Sequence, residues 1–453
     1  MPWRKLLSLH PADRLCLIEP GRSITYGNLL AEVEAKAQQL YPYTCIALQL
    51  DNSIDWVLWD LASQLQDVTL VPLPPFFTPQ QIQHTLQTVG AEAVITAQGI
   101  TPTGLTPQSL PAGTSKVTFT SGTTGTPKGV CLSTKAQWQV AQSLAEVLGP
   151  QFTGQHLTSL PLGVLLENVA GVYTNLLLGG TVVLASLTNF GQGYSGLHAQ
   201  LHQHVATSLI TVPEQLRLLI NQTRSYGRLP HLKFIAVGGA KVSPELITQA
   251  RSLGLPVYEG YGLSEMGSVV SLNTPQDDHP GSVGRLLPHV KAQLFNGEIA
   301  FIDPLYNGYV GEPKQPVFMS GDLGRITPQG EVSIDGRRKN LLITAWGRNV
   351  SPEWVESELL QQSEILQTIV FGDGEAQLSA LVVSTRSRAE VAAALAHTNN
   401  RLPTYARLGR FMLVPPFTMA EGTLTGTGRP KRQEILNRYI NKENNIYDLL
   451  PTA

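Results

Sequence analysis

The chain has 453 residues, 42% of them hydrophobic, enough for about two or three domains with buried cores and too apolar for a disordered polymer. Only 15% are charged, against roughly 25% in typical soluble domains. The formal net charge is −2 with no basic block, which argues against a nucleic-acid partner. No apolar run approaches about 18 residues, so no membrane span is expected. The opening stretch MPWRKLLSLHPADRL lacks the pattern of a signal peptide. Cys16, Cys45 and Cys131 have no metal-ligand spacing and read as reduced, buried thiols of a cytoplasmic protein.

In chain order, Ser23–Tyr26 reads as a short strand, Leu29–Leu40 as a helix, Cys45–Leu50 as a strand and Ser53–Leu65 as a helix. Val68–Leu73 is a strand stopped by Pro74 and Pro75, Pro79–Val89 a helix and Ala93–Thr96 a strand. This alternation predicts a parallel sheet with helices on its faces. It resumes with a helix from Lys135, a strand near Leu157, a helix from Leu166 and a strand over Thr181–Leu184. A helix over Leu197–His204 and strands at Leu209–Thr211 and Phe234–Val237 follow. From about Gly281, short runs between Asn-Gly, Pro and Gln-Gly turns predict a small antiparallel or barrel-like part: Ala292–Leu294, Glu298–Phe301, Arg325–Thr327 and Val332–Ile334. Beyond Gly336-Arg337-Arg338-Lys339 the pattern becomes a compact α+β unit, with helices at Glu353–Gln361 and Arg388–Ala396 and strands at Thr368–Phe371, Leu378–Val383 and Phe411–Val414. The expected fold class is α/β, with a large N-terminal domain of parallel-sheet α/β subdomains plus a small β-rich part, residues 1–338. A small mobile C-terminal α+β domain, residues 339–453, completes it.

Between these elements, Thr118–Val130 reads TFTSGTTGTPKGV: six Ser or Thr, four Gly or Pro and one Lys in thirteen residues. Such a loop offers backbone N–H groups, rotatable hydroxyls and a cation to a polyphosphate. It is not a Walker A loop, because Lys128 follows Pro127 and no Ser or Thr follows Lys128. Tyr258-Glu259-Gly260-Tyr261-Gly262-Leu263-Ser264-Glu265 supplies aromatic faces, tight glycines, a hydroxyl and a carboxylate suited to a nucleotide and Mg²⁺. Ser320-Gly321-Asp322-Leu323-Gly324 holds an Asp in a glycine turn, able to accept two ribose hydroxyls or to cap the turn. The cations of Gly336–Lys339 and of Gly347-Arg348 suit phosphate or a solvated linker. His198, His202 and His204 have no partnering carboxylate pattern and read as a helix surface, and no G-x-S-x-G elbow is present.

Order and spacing of these segments resemble the adenylate-forming superfamily: acyl-CoA synthetases, nonribosomal-peptide adenylation domains and luciferases. The resemblance includes Ser23-Ile24-Thr25-Tyr26, Asn52-Ser53-Ile54-Asp55-Trp56 and Val237-Gly238-Gly239-Ala240 and covers nearly the whole chain. It implies that ATP and a carboxylic acid form an acyl-AMP, and that the C-terminal domain then rotates for attack by a thiol of CoA or of an acyl or peptidyl carrier protein. It implies that Thr120, Ser121, Gly122, Thr123, Thr124, Gly125 and Lys128 hold the β- and γ-phosphates. It likewise implies that Gly239, Ala240 and Tyr261 flank adenine, Gly262 belongs to the nucleotide site, Ser264 lies by the α-phosphate and Glu265 binds Mg²⁺. Asp322 and Arg337 would hold the ribose, and Lys339 stands at the hinge.

Two departures stand out. The family's C-terminal lysine pattern, L-T-x-T-x-K-x-x-R, reads here Leu424-Thr425-Gly426-Thr427-Gly428-Arg429-Pro430-Lys431-Arg432, with Arg429 in the lysine's place and Lys431 two positions on as a second candidate. Arg keeps the charge but is longer and planar. The family's P-L-x-H reads Pro161-Leu162-Gly163-Val164, an aliphatic wall that points to a fatty or other apolar acid. Aryl- or amino-acid activation, or a catalytically weakened ATP- or acyl-AMP-binding homologue, are the alternatives.

Overall fold

The structure, a computed structural model, describes residues 4–5, 8–120, 127–191, 194–425, 428–440 and 448–449, and for Thr120, Asp448 and Leu449 the backbone only. Two large mixed sheets form its N-terminal part. One has eight strands, in the order Glu312–Pro313, Gly308–Tyr309, Lys128–Leu132, Lys116–Thr120, Thr69–Pro72, Cys45–Leu48, Ala93–Thr96 and Gly99–Pro102. The other has nine, in the order Arg285–Leu286, Ser268–Leu272, Val257–Leu263, Phe234–Val237, Ser208–Thr211, Gln155–Leu157, Thr181–Val183, Leu15–Glu19 and Arg22–Thr25. The expected parallel pairing holds in the middle of both. The edges are antiparallel hairpins, where a short turn joins neighbours without a crossover helix.

Helices begin where side chains satisfy their first N–H groups. Ser53 accepts from Trp56 N ahead of the helix Ile54–Leu65, Ser133 caps Thr134–Leu148, and Thr78 with Gln81 forms a capping box for Pro79–Val89. The helix expected from Leu166 is a wide-turned π-helix over Leu166–Tyr173 continuing into Thr174–Leu177. Strands Leu15–Glu19 and Ser268–Leu272 and helices Pro213–Tyr226 and Pro244–Ser252 lie outside the sequence expectations.

A four-stranded antiparallel sheet, Ala292–Phe295, Glu298–Ile302, Val317–Ile326 and Val332–Arg337, is the β-rich part. The last sheet runs Gln367–Phe371, Leu378–Val383, Leu408–Leu413 and Asp448–Leu449, with helices Pro352–Leu359 and Arg388–Asn399 contributing to its core. No helix among the described residues is long and apolar enough to cross a membrane.

One buried polar hub ties the eight-stranded sheet to the helix layer. Lys116 Nζ lies 2.8 Å from Asp60 Oδ1, both side chains being almost wholly shielded. Asn168 Nδ2 donates to Asp60 Oδ2 at 2.9 Å, and Tyr173 donates its hydroxyl to the same oxygen. Gln64 bridges the Tyr173 hydroxyl at 2.6 Å and the Trp138 indole at 2.9 Å, and the Trp138 and Tyr173 rings stack at 4.4 Å. Burial draws the Lys116 pKa down and Asp60 opposes it. Removing one partner of such a pair strands the other charge. Lys116→Met should therefore lose about 3–5 kcal/mol in urea unfolding, and Asp60→Leu combined with Lys116→Met should lose less than the single substitution. An unchanged midpoint for Lys116→Met would show that the pair does not hold the layers.

Candidate active site

The hairpin formed by Lys116–Thr120 and Lys128–Leu132 sets Thr120 opposite Lys128 in register. Ser121, Gly122, Thr123, Thr124 and Gly125 lie outside the described residues. Lys128 Nζ sits 3.0 Å from Glu312 Oε1 and 5.0 Å from the centroid of the Tyr309 ring. Both partners of that ion pair are more than half exposed, at 52% and 56%. An exposed pair of this kind is worth about 0–1 kcal/mol, so an arriving polyanion can displace Glu312. Tyr309 donates its hydroxyl to Glu265 Oε1 at 2.7 Å, and the Glu265 carbonyl accepts from Tyr306 N at 2.9 Å. Tyr309 thus bridges the predicted cation and the predicted metal-binding carboxylate. Glu312 and Tyr309 were not singled out in the sequence, because Lys128 and Glu312 meet across 184 positions and no local pattern carries that pairing.

The second group of predicted residues gathers at one end of the nine-stranded sheet. Strand Phe234–Val237 ends in Gly238, Gly239 and Ala240, with Gly239 at φ +83°. A Cβ there would be strained whatever the space, and would stand 3.7 Å from Arg429 Nη2. In the neighbouring strand, a Cβ on Gly262 would fall 2.3 Å from the Ser268 carbonyl oxygen, so the antiparallel pairing admits only glycine there. Ser264 and Glu265 follow directly, in one short turn of helix, half-buried.

Asp322 and Arg337 face each other across the ladder between Val317–Ile326 and Val332–Arg337. Arg337 Nε is 2.7 Å from Asp322 Oδ1, its Nη1 donates to the Ser320 carbonyl at 2.9 Å, and Tyr261 donates its hydroxyl to Asp322 Oδ2. Burial raises the Asp322 pKa against the pull of Arg337, and burial with the adjoining Asp322 carboxylate raises that of Tyr261. Glu298 accepts from Gly321 N at 2.8 Å and pairs with Arg338 Nε at 2.7 Å; the expected glycine turn is instead part of the strand Val317–Ile326, in which Gly321 takes φ +74° just before Asp322. Lys339 is exposed in the short helical turn Arg338–Asn340, and burial, then Arg337, lowers its pKa.

A cavity opens from this end into the protein. Its mouth is lined by Gly239, Tyr261, Gly262, Ser264 and Arg429, and its walls by Leu160, Val164, Leu166, Ala170, Ile210 and Val212. Among the described residues Arg429 lines it and Lys431 does not; Lys431 caps the helix Arg432–Tyr439, its N–H donating to the Thr423 carbonyl at 2.8 Å. The turn presenting Arg429 is closed by Thr425, whose N–H donates to the Arg429 carbonyl at 2.7 Å and whose Oγ1 accepts from Arg429 N at 3.0 Å. Desolvation, then Arg337, draws the Arg429 pKa downward while Asp322 and Tyr261 oppose them. The residue is nonetheless exposed, and a guanidinium is basic enough to stay cationic.

The family described as AMP-binding enzyme matches residues 7–117 and 104–312, and the family described as AMP-binding enzyme C-terminal domain matches residues 339–450. The chain belongs to the AMP-binding enzymes. This is the adenylate-forming superfamily that the motif order resembles. The 2-succinylbenzoate–CoA ligase of Staphylococcus aureus is 24% identical over 489 aligned positions, covering 93% of this chain and 96% of that one. The long-chain-fatty-acid–CoA ligase FadD15 of Mycobacterium bovis is 28% identical over 247, covering 47% of this chain and 41% of its own. The structure of o-succinylbenzoate coenzyme A synthetase from Bacillus subtilis with AMP superposes with a TM-score of 0.81 at 22% identity, covering 99% of each chain, and shares the fold. That protein is also known with ATP and a magnesium ion.

One group near the site titrates unusually. Burial raises the Glu259 pKa from 4.5 to about 8, against the Val242 N–H and Lys241. The folded state therefore holds this proton more tightly than the unfolded chain, and its contribution to stability is lost as pH rises from 4.5 to about 8. Urea unfolding across that window should show a smaller loss of stability with rising pH for Glu259→Gln than for the native chain. Parallel pH profiles would refute the buried carboxyl.

Proposed function

We propose that this AMP-binding enzyme is an acid–thiol ligase that converts an apolar carboxylic acid to its acyl-AMP with ATP and passes the acyl group to the thiol of CoA or of a carrier protein. The observation that carries this reading is the cavity. It is apolar along its walls and meets a cation, Arg429, at the mouth where Gly239, Tyr261 and Ser264 converge. In the first step a carboxylate oxygen bonds to the α-phosphorus, the bond from that phosphorus to the bridging oxygen breaks, and pyrophosphate leaves with the electron pair. In the second step a thiolate bonds to the acyl carbon and AMP leaves. Charge builds on phosphoryl oxygens in the first step, so positioned cations and N–H groups do most of the work.

In this reading the segment Thr120 to Gly125 and Lys128 receive the β- and γ-phosphates, Ser264 the α-phosphate, and Gly239, Ala240 and Tyr261 the adenine, with Gly262 in the nucleotide site. Asp322 accepts the ribose hydroxyls beside Arg337. Glu265, a carboxylate already holding the Tyr309 hydroxyl at 2.7 Å, suits Mg²⁺, which takes one or two protein carboxylates and fills its octahedron with phosphate oxygens and water. Bound there, Mg²⁺ would neutralise phosphate charge. Among the described residues no three His, Cys, Asp or Glu gather, which fits an ion brought mainly by the nucleotide. Arg429 bridges the acid and the α-phosphate. We place a domain boundary near residue 338, with Lys339 at the hinge of a C-terminal unit that rotates between the steps.

No Asp or Glu lines the cavity among the described residues, which favours fatty or aryl acids over amino acids, whose ammonium needs a counter-charge. Pyrophosphate release should therefore be supported by fatty or aryl acids and not by amino acids. Arg429→Ala should lower the rate of acyl-AMP formation by about 10² to 10³ with ATP binding retained, and Arg429→Lys should restore it several-fold above the alanine variant. Lys128→Ala should raise KM for ATP. ATP binding without acid-dependent pyrophosphate release in the native chain would instead support a weakened nucleotide-binding homologue.

A further inference from the structure

The far end of the cavity is polar. Strands Gln155–Leu157, Ser208–Thr211 and Phe234–Val237 run parallel, and the mouth lies beyond their C-terminal ends at Gly238 and Gly239. The same cavity is lined at their N-terminal ends by His156, Ser208 and Phe234, so it follows the sheet for about 15 Å at roughly 3.3 Å per residue. At that far end His156, Ser208 and Asn175 stand among Leu148, Phe152 and Leu178.

Glu167, fully buried, accepts at Oε2 from Ser159 N at 3.2 Å and Leu160 N at 2.9 Å, and its Oε1 lies 2.8 Å from His156 Nε2. An acceptor so placed makes Nε2 the protonated ring nitrogen. In the neutral Nε2–H tautomer, His156 Nδ1, 3.0 Å from Ser208 Oγ, accepts the serine proton. With that proton used, Ser208 Oγ turns lone pairs toward the cavity. Asn175 Nδ2 donates one of its two N–H groups to the Gly171 carbonyl at 2.7 Å and keeps the other. The end of an apolar cavity thus offers an acceptor at Ser208 and a donor at Asn175, and a hydroxyl group can pair with both. An anionic terminus would meet the Ser208 lone pairs and, behind His156, the Glu167 carboxylate. An alkyl terminus leaves the acceptor dry, at the desolvation cost of an unpaired polar group.

We propose that this end of the cavity is a subsite for a neutral hydroxyl, so that the preferred substrate is an apolar acid carrying a hydroxyl group at its end distal to the carboxylate. The inference rests on the reading of the cavity as the acyl site. Ser208 makes the contact, and Glu167 and His156 orient it.

The test uses the full chain and pairs of acids of graded length that differ only by a terminal hydroxyl in place of a methyl. Binding by calorimetry and acid-dependent pyrophosphate release are measured for the native protein and for Ser208→Ala, with thermal unfolding of both. At the length that spans the cavity, the hydroxy acid should be preferred about tenfold in Kd and in kcat/KM. Ser208→Ala should abolish that preference, so that the hydroxy and methyl acids of one length bind and react alike. Preference for the methyl acid at every length, or a hydroxyl preference unmoved by Ser208→Ala, overturns the subsite while the acyl-site reading stands. If the variant does not fold, the native ratio alone decides. If neither series binds or releases pyrophosphate while ATP still binds, the acyl-site reading fails and the subsite with it.

Discussion

Two adjacent buried polar side chains on the helix Leu166–Tyr173 govern how the cavity is built. Asn168 reaches the Asp60–Lys116 pair in one direction, and Glu167 reaches His156 and two backbone N–H groups in the other. Groups as shielded as these must be partnered, because an unpartnered charge or amide in the interior costs several kcal/mol. Satisfying both directions at once leaves Leu166 and Ala170 as cavity wall. The wide turns of this helix accompany that constraint: consecutive residues are anchored to different layers, and the backbone opens where its side chains are pulled apart. An apolar replacement at either position would pack more cheaply but would not fix the helix in rotation.

The mouth obeys a different rule. Arg337 lies near enough to Arg429 to draw its pKa downward, and Asp322, paired with Arg337, opposes that. Lys128, on the other sheet, leans on Glu312 in an exposed and weak pair. The cleft therefore carries cations, of which Lys128 is held only loosely by its carboxylate. A polyanion entering it exchanges weak internal pairs for stronger charge-assisted bonds, and relieves the repulsion between the two arginines. In the proposed role Arg429 differs from lysine in shape rather than sign. Its planar fork can meet a carboxylate and a phosphate oxygen with separate N–H groups, and its carbonyl and N–H tie it to Thr425, which limits the reach of the longer side chain.

Much of this was legible in the sequence where local chemistry dictates structure. Pro79–Val89, Ala93–Thr96, Phe234–Val237 and Leu378–Val383 have the expected bounds, because a capping threonine, a proline or a compact β-branched run marks each. Asp322 and Arg337, Tyr261 and Ser264, and Gly239 and Arg429 are brought to one cleft, as their motif order suggested. What stayed hidden depends on contacts between distant segments. Strand Lys128–Leu132 was masked by its glycine-rich start, and the sequence gives Tyr309 no reason to lie under Lys128 and against Glu265. Glu167 and His156 look like unrelated polar residues eleven positions apart until the fold closes them into one relay.

The low charge content acquires a physical sense from this arrangement. A chain with only 15% charged residues places several of them where water is excluded: Asp60 with Lys116 in the hub, Glu167 beneath the cavity floor, Asp322 at the mouth. Each lies at a junction between elements that an apolar core alone would leave free to slide. A hydrophobic contact tolerates small shifts, whereas a buried carboxylate with two or three donors has one arrangement of low energy. In such a protein the walls of the cavity can be smooth and unspecific, because its length, its mouth and its floor are set by the few polar groups that cannot move without losing their partners.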